Sequence, residues 1–387
     1  MIRSRMFPAA LVAALALSTA LATGCAGGEP SRRYSRARVH ESMARLETPG
    51  LVIGEFPLAA KAILDGDTIR VHGLDSTMRL LGLDAEETIK SEQNRRQVED
   101  DWPSYLEARR GSARHPVKAG TPMGEEGKRF AKSFFAGVDR VRLERDAPKE
   151  IRDRFDRYLA YAFVRKNGRW VNYNVEAVRA GISPYFTKYS YSRRFHDEFA
   201  AAEKEAREAQ RGIWSPNGQH YQDYAERKVW WDARAEFIKA FERDGRGHDD
   251  FLALTEWDAI TRLNRGVGQH LTVLGNIGRI TRNRGPIRVT LNIRGYTSLT
   301  LVFFDKGVFE SCGFDRHEGE FVRASGVVAE YRNKYNHRRQ LQLIIRAPSQ
   351  VVVSDVPGVD QPVQSAARHE SINPPPATTD PRKTRIP

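Results

Sequence analysis

Short apolar segments separated by turn residues dominate the first half of the chain. Apolar residues on both sides of Asp65-Gly66-Asp67-Thr68 predict two β segments that meet at an Asp-Gly bend. Residues 78–83 predict a buried strand that contains a single charged residue, Arg79. A buried arginine is costly unless another group compensates its charge. The pattern therefore predicts that Arg79 is paired.

The second half changes from helical to strand-like spacing. Residues 225–264 place apolar side chains on one helical stripe, and a second helix is predicted at 249–263, after the break at 244–247. Between 268 and 353, five apolar segments separated by turn residues predict five short strands. This arrangement resembles a small Greek-key barrel of the oligonucleotide-binding (OB) type.

Three carboxylates and two arginines form the candidate chemistry. Asp67 follows the Asp-Gly bend, Asp84 and Glu87 follow the segment that contains Arg79, and Arg157 comes much later. Nearby carboxylates repel each other, so a cation between them or a large pKa shift is expected. Carboxylates favour Mg²⁺, Ca²⁺ or Mn²⁺, and guanidinium groups clamp phosphate. The set suggests phosphodiester chemistry; the alternative is an ordinary hairpin turn with solvated acids.

Five separated segments carry a family resemblance. They are DGDT at 65–68, MRLLGLDAEE at 78–87, DRFDRYLAYAFV at 153–164, GRWVNYNVEAVRAGIS at 168–183 and AEKEAREAQRGIWS at 202–215. Their sequences and their order resemble the staphylococcal nuclease (thermonuclease-like) family over residues 52–216. The resemblance implies an α+β fold in which an OB-type five-stranded barrel is packed with helices. In this chain, further helices and the second OB-like barrel follow.

The resemblance implies a calcium site and a catalytic set. Asp67 and Asp84 match the carboxylate ligands of Ca²⁺, the backbone carbonyl of Ala85 matches a further ligand, and Asp65 matches an acid behind the ligands. Glu87 matches the general base of the family, and Arg79 and Arg157 match the two arginines that neutralise the phosphate. Where the family usually has proline, the chain has a second acid, Glu86, beside the base.

The chain departs from the family in two further places, and one further likeness is open. Phe155 replaces a tyrosine whose hydroxyl contacts phosphate. Tyr189 and Tyr191 resemble an aromatic pair that flanks a base, or they are surface tyrosines in a loop. An insertion at about 89–121 carries basic residues, among them Lys118. It either covers the cleft, lengthens the nucleic-acid track or forms a solvated, partly helical loop.

Charge suggests a partner for the second barrel. Residues 266–351 contain 13 Lys plus Arg and 6 Asp plus Glu, and basic residues with interleaved tyrosines cluster at two hairpins. Such loops suit single-stranded nucleic acid, whereas the alternative is a structural or protein-binding barrel. The net charge of +13 agrees with a polyanionic substrate or an anionic membrane. The residues predicted to contact nucleic acid are Arg154, Phe155, Tyr189, Tyr191, Arg282, Arg284, Tyr331, Tyr335 and Arg338.

The N-terminus predicts export. Residues 1–5 are basic, and the apolar run at 7–20 is short for a membrane span. Residues 21–25, LATGC, resemble a bacterial lipoprotein signal in which Cys25 becomes lipidated; the alternative is a plain secretory signal cut nearby. By resemblance to enterobacterial sorting, Ala26 favours the outer membrane. Cys312 then remains alone, as a small buried hydrophobe in a β segment.

These observations divide the chain into six parts: a signal peptide at 1–24, a tether at 25–49, the nuclease-like domain at 50–218, a helical connector at 225–265, the OB-like domain at 266–353 and a disordered tail at 354–387. Together they predict an exported, lipid-anchored, Ca²⁺-dependent nuclease of DNA or RNA with low sequence specificity. The alternative is a non-catalytic surface protein that binds nucleic acid or acts as a scaffold. The complete set of acids and arginines favours the enzyme.

Overall fold

A computed structural model describes residues 51–354, with gaps at 114, 154, 283–284, 293–297, 333–336 and 338. The predicted signal peptide, tether and tail therefore lie outside the described residues, apart from residue 354. The same holds for five residues with a predicted role: Cys25, Arg154, Arg284, Tyr335 and Arg338. Within the described part of the chain, no helix combines the length and the apolar composition needed to cross a bilayer.

The first barrel is closed by a parallel strand pair. Its strands are β1 (Val52–Ile63), β2 (Thr68–Val71), β3 (Met78–Leu80), β4 (Arg140–Glu144) and β5 (Tyr158–Lys166), and β6 (Arg169–Asn172) extends β5 as a hairpin. The strands follow the order β3-β2-β1-β4-β5-β6, and β3 also pairs with β5. In β4, the alternate residues Val141 and Leu143 are buried, as the two-residue period of a strand requires.

Helices cover this barrel and form much of the insertion. They are α1 (Glu92–Asp100), α2 (Trp102–Arg110), α3 (Pro122–Phe134), α4 (Tyr173–Arg179) and α5 (His196–Glu208). The hydroxyl of Thr121 accepts a hydrogen bond from the backbone of Gly124, and Pro122 occupies the first turn, so the sequence itself starts α3. The insertion is thus partly helical, as predicted, because α1 and α2 lie within it.

The connector contains one long helix and one unpredicted strand. Helix α6 (Tyr224–Asp244) lies where the apolar stripe predicts it. The helix predicted at 249–263 is wrong in its first part, since Phe251–Ala253 forms strand β7 and only Ala259–Arg265 forms a helix, α7. The reason is tertiary: β7 pairs in parallel with residues 272–274, and this pairing buries Leu252.

The second barrel contains the five predicted strands. They are β8 (His270–Thr281), β9 (Ile287–Asn292), β10 (Ser298–Phe303), β11 (Phe321–Arg332) and β12 (Arg339–Ile345), followed by the short β13 (Val351–Val353). Pairings of β8 with β11 and of β10 with β12 close the barrel, the latter in parallel. Both barrels therefore have the strand connections of an OB-like fold, and the chain is α+β.

The long helix α6 packs against the second barrel. Residues Ile238 and Phe241 of α6 contact Leu274 and Phe321 of the barrel.

The predicted position of Cys312 in a β segment is wrong. Cys312 follows the short helix α8 (Lys306–Ser311), and it is half-buried against the barrel core.

Candidate active site

Arg79 lies between two carboxylates in the first barrel. Antiparallel pairing of β2 and β3 sets Thr68 opposite Arg79, which brings the preceding Asp67 to the same place. One guanidinium nitrogen pairs with Asp67, and another donates to Oδ1 of Asp84 at 2.6 Å. Burial opposes the charge, but the two carboxylates outweigh it and raise the pKa of Arg79. The structure thus supplies the partners that a buried arginine requires.

A tight turn after β3 places Asp84. Gly82 has a φ of 72° and lies against the ring of Phe199, where a Cβ atom would come within 2.6 Å. Only glycine suits both conditions. The turn directs the backbone N–H of Asp84 to Oγ of Ser183, at 2.8 Å. Burial alone would raise the pKa of the Asp84 carboxyl, but the Lys118 ammonium and the Arg79 guanidinium hold it below its ordinary value.

The two acids of the Asp-Gly bend have different environments. Asp67 is buried, and its Oδ2 accepts the backbone N–H of Ala85 at 3.1 Å. Asp65 lies behind it, and its Oδ1 accepts the backbone N–H of Asp67 at 3.1 Å. Burial, followed by repulsion from Asp67, raises the pKa of Asp65 to about 7. Asp65 therefore shapes the bend, whereas Asp67 faces the turn that contains Asp84.

The adjacent acids Glu86 and Glu87 point in different directions. The Glu86 side chain is buried and accepts hydrogen bonds from the Thr121 hydroxyl, the Tyr221 backbone N–H at 2.8 Å and the Tyr224 hydroxyl at 2.7 Å. Burial raises the pKa of Glu86, against the effect of these hydrogen bonds. The Glu87 side chain is 34 % exposed. Glu87 is thus the acid that solvent reaches, whereas Glu86 holds distant segments together.

Arg157 immediately precedes β5, and its guanidinium is hydrogen-bonded within its own loop. Asp153 accepts hydrogen bonds from its Nε at 2.7 Å, and the guanidinium lies 5.4 Å from the ring centre of Phe155, which is exposed. Residues 78 and 158 are partners in the parallel β3–β5 pair, so Arg157 precedes the strand beside Arg79. The described contacts of Arg157 do not include Asp67 or Asp84.

The remaining predicted contact residues are dispersed. Tyr189 is 53 % exposed, whereas the Tyr191 hydroxyl donates to Glu242 on α6 at 2.8 Å. In the second barrel, Arg282 pairs with Asp315, and Tyr331 is exposed near the end of β11. The structure therefore gives the two loop tyrosines different surroundings.

The donor set fits a hard divalent cation. Asp67 and Asp84 offer carboxylate oxygens close to one shared guanidinium. In the described part of the chain, no group of three or more His, Cys, Asp or Glu side chains is placed to hold a metal. A cation at Asp67 and Asp84 would therefore need the Ala85 carbonyl and water to complete a shell of roughly six to eight oxygens.

Lys118 and Ser183 belong to the site, although the sequence prediction assigned them no role there. The Lys118 ammonium lies 2.6 Å from Oδ1 of Asp84 and 3.6 Å from Oε1 of Glu87. The sequence showed Lys118 only as one basic residue of the insertion, and Ser183 only as the end of a family segment. Neither position carries a local signal, because both meet Asp84 through tertiary contacts.

Comparison with known proteins shows what the part of the chain around this site is similar to. Residues 77–216 match the family described as staphylococcal nuclease homologue. The chain is 29 % identical over 158 residues to a thermonuclease of Staphylococcus hyicus, which covers 40 % of this chain and 72 % of that protein. It is 29 % identical over 156 residues to a thermonuclease of Staphylococcus intermedius, covering 40 % and 73 %. An uncharacterized protein of Methanocaldococcus jannaschii is 28 % identical over 220 residues, covering 56 % and 98 %.

Proposed function

Because residues 77–216 form a staphylococcal nuclease-like domain, we propose that the chain is a Ca²⁺-dependent nuclease that hydrolyses phosphodiester bonds of DNA or RNA with low sequence specificity. The observation that carries the proposal is the cluster in which Arg79 bridges Asp67 and Asp84, with Glu87 at its exposed edge. Low sequence specificity follows if the site reads the phosphate rather than the base.

Each side chain has a task in this hydrolysis. Asp67, Asp84 and the Ala85 carbonyl would hold Ca²⁺, which supplies positive charge to a phosphate oxygen. Glu87 accepts the proton of the attacking water from its exposed position. Arg79 offers a planar guanidinium to the phosphate, where charge develops during attack. Arg157 provides a second guanidinium once it exchanges Asp153 for phosphate.

We also propose that the second barrel assists by holding nucleic acid. Its net positive charge suits the phosphate backbone, and the exposed Tyr331 offers a ring on which a base can stack. A protein partner at the same surface is the competing assignment. Binding of single-stranded DNA to the second barrel distinguishes the two assignments, because a barrel that binds a protein partner does not require a polyanion.

The decisive experiment measures cleavage of single-stranded DNA, duplex DNA and RNA by the chain, with Ca²⁺ and with EGTA. We expect cleavage in Ca²⁺ and none in EGTA. Asp84→Asn is expected to lower the rate by about 10²-fold or more, because it weakens both the cation site and the partner of Arg79. Asp100→Asn, which changes an exposed acid on α1, is the control and retains the rate. Binding of DNA without cleavage under any divalent cation would favour the scaffold alternative.

We further propose that the chain is exported and anchored in the bacterial cell envelope, in the outer membrane where the host has one, by lipid on Cys25. The support is the sequence alone: a basic start, a short apolar run and LATGC at 21–25. Cells fed labelled palmitate are expected to label the wild-type chain and the Cys312→Ser control, both in the membrane fraction. Cys25→Ser is expected to remain unlabelled. An unlabelled wild-type chain would contradict lipidation.

A further inference from the structure

The insertion delivers a cation to the site. The Lys118 ammonium donates to Oδ1 of Asp84 at 2.6 Å and lies 3.6 Å from Oε1 of Glu87, while its side chain remains 44 % exposed. The Lys118 ammonium therefore lies between the predicted metal ligand and the predicted base.

The backbone around Lys118 is fixed by residues beyond the nuclease-like segment. On one side, the Val117 carbonyl accepts a hydrogen bond from Arg227 of α6 at 2.6 Å. On the other side, the Tyr221 hydroxyl accepts from the Ala119 N–H at 2.7 Å and donates to the Ala119 carbonyl at 2.6 Å. Both partners follow residue 216, where the family match ends. Residues that follow the family match therefore help to fix the position of the Lys118 backbone.

The same segment also runs directly beside Glu87. The Thr121 N–H donates to the Glu87 carbonyl at 2.9 Å, and the Tyr105 hydroxyl donates to the Gly120 carbonyl at 2.8 Å. A Cβ atom at Gly120 would come within 2.8 Å of the backbone at Ile89, so the close approach needs glycine. The backbone of Lys118 is thus held on both sides, whereas its side chain is 44 % exposed to solvent.

We propose that Lys118 competes with the divalent cation for Asp84, and so sets the Ca²⁺ concentration at which the site loads. This inference rests on the proposed function. An ammonium on an Asp84 oxygen and a divalent cation on the same oxygen repel each other, so the metal binds after the lysine withdraws. Because Lys118 is attached to fixed backbone, its return is intramolecular and its effective concentration is high.

Direct titration of the metal tests this competition without reference to cleavage. Calorimetry with Ca²⁺ alone would compare the wild-type chain with Lys118→Met, which keeps an apolar stem and removes the charge. We expect the Kd for Ca²⁺ to fall by about tenfold in the variant, which is the change that one charged hydrogen bond of moderate strength produces.

Two further variants isolate the cause. Lys118→Arg retains a cation on the same backbone and is expected to keep the wild-type Kd within about threefold. Lys90→Met removes another lysine near Glu87, at 3.5 Å, but Lys90 is exposed and does not contact Asp84. Because exposed charges contribute little, this control is also expected to remain near the wild-type Kd. Thermal unfolding in EGTA verifies that every variant is folded.

The outcomes separate this inference from the proposed function. If the wild-type chain and Lys118→Met bind Ca²⁺ with equal Kd, Lys118 does not compete, and the calcium-dependent nuclease remains intact. If Lys90→Met tightens binding as much as Lys118→Met, general charge removal explains the effect and the competition is refuted. If neither the wild-type chain nor Lys118→Met binds Ca²⁺, the calcium site and this inference fail together.

Discussion

Glu87→Gln is expected to lower the rate of DNA hydrolysis by about 10²–10⁴-fold while the protein remains folded. Glutamine has nearly the same shape but accepts no proton from water. The Glu87 side chain is partly exposed, and its described ion pairs, with Lys90 and Lys118, are 3.5 and 3.6 Å long. Long, solvent-accessible pairs contribute little to stability, so the loss should appear in kcat and not in the free energy of unfolding.

Glu86→Gln is the matched control, because it makes the same chemical change one residue earlier. Its carboxylate accepts three hydrogen bonds inside the protein, two of them from Tyr221 and Tyr224. A glutamine amide replaces one acceptor by a donor and leaves a buried group unmatched, at a cost of about 1–3 kcal/mol. We therefore expect a lower free energy of unfolding and a rate per folded molecule near that of the wild-type chain.

The pair of measurements decides which acid is the base. Single-turnover cleavage at saturating Ca²⁺ gives the rate, and urea unfolding in EGTA gives the stability of each variant. If Glu86→Gln loses the rate and Glu87→Gln retains it, the roles are reversed. Because Glu86 replaces the family's proline, the sequence offers two adjacent acids, and the spacing from Asp84 favours Glu87 as the base. The burial of Glu86 is an independent reason for the same choice.

The sequence predicted best those features that short-range patterns encode. The Asp-Gly bend, the strand around Arg79 and the five strands of the second barrel each depend on neighbours within a few residues, where alternation and turn residues act. The strand around Arg79 is shorter than the predicted 78–83, because it ends at Leu80 and the turn at Gly82 follows. The pairing of Arg79 followed from the cost of an isolated buried charge alone. Its partners, Asp67 and Asp84, lie on the same hairpin and on the turn that follows it.

Long-range contacts explain what the sequence did not predict. Residues 251–253 form a strand because 272–274 offer a free edge, which overrides their position in a helical pattern. Lys118 meets Asp84 in a segment whose backbone Arg227 and Tyr221 hold on either side of the lysine. Charge patterns within the insertion showed a basic loop, but they contained no information on which lysine meets an acid.

Replacement of Arg79 is expected to affect both stability and catalysis, and Ca²⁺ should restore only the first. In Arg79→Met, the buried carboxylates Asp67 and Asp84 lose their shared partner, and Lys118 is the ion-pair partner that Asp84 retains among the described residues. Removing one member of a buried ion pair costs about 3–5 kcal/mol. In EGTA we therefore expect a loss of this order in the free energy of unfolding, measured with urea. Arg95→Met, an exposed helical position, is the control and should lose little.

Calcium should reverse much of this loss, because a cation that binds only the folded chain stabilises it and also neutralises the two carboxylates. It should not restore cleavage, since the metal cannot replace the guanidinium that meets the phosphate, and a rate lower by about 10²–10³-fold is expected even at saturating Ca²⁺. Arg79→Lys should recover part of the stability in EGTA but little of the rate, because an ammonium lacks the planar fork. If Arg79→Met keeps the wild-type rate in Ca²⁺, Arg79 serves the acids alone and the phosphate is neutralised elsewhere.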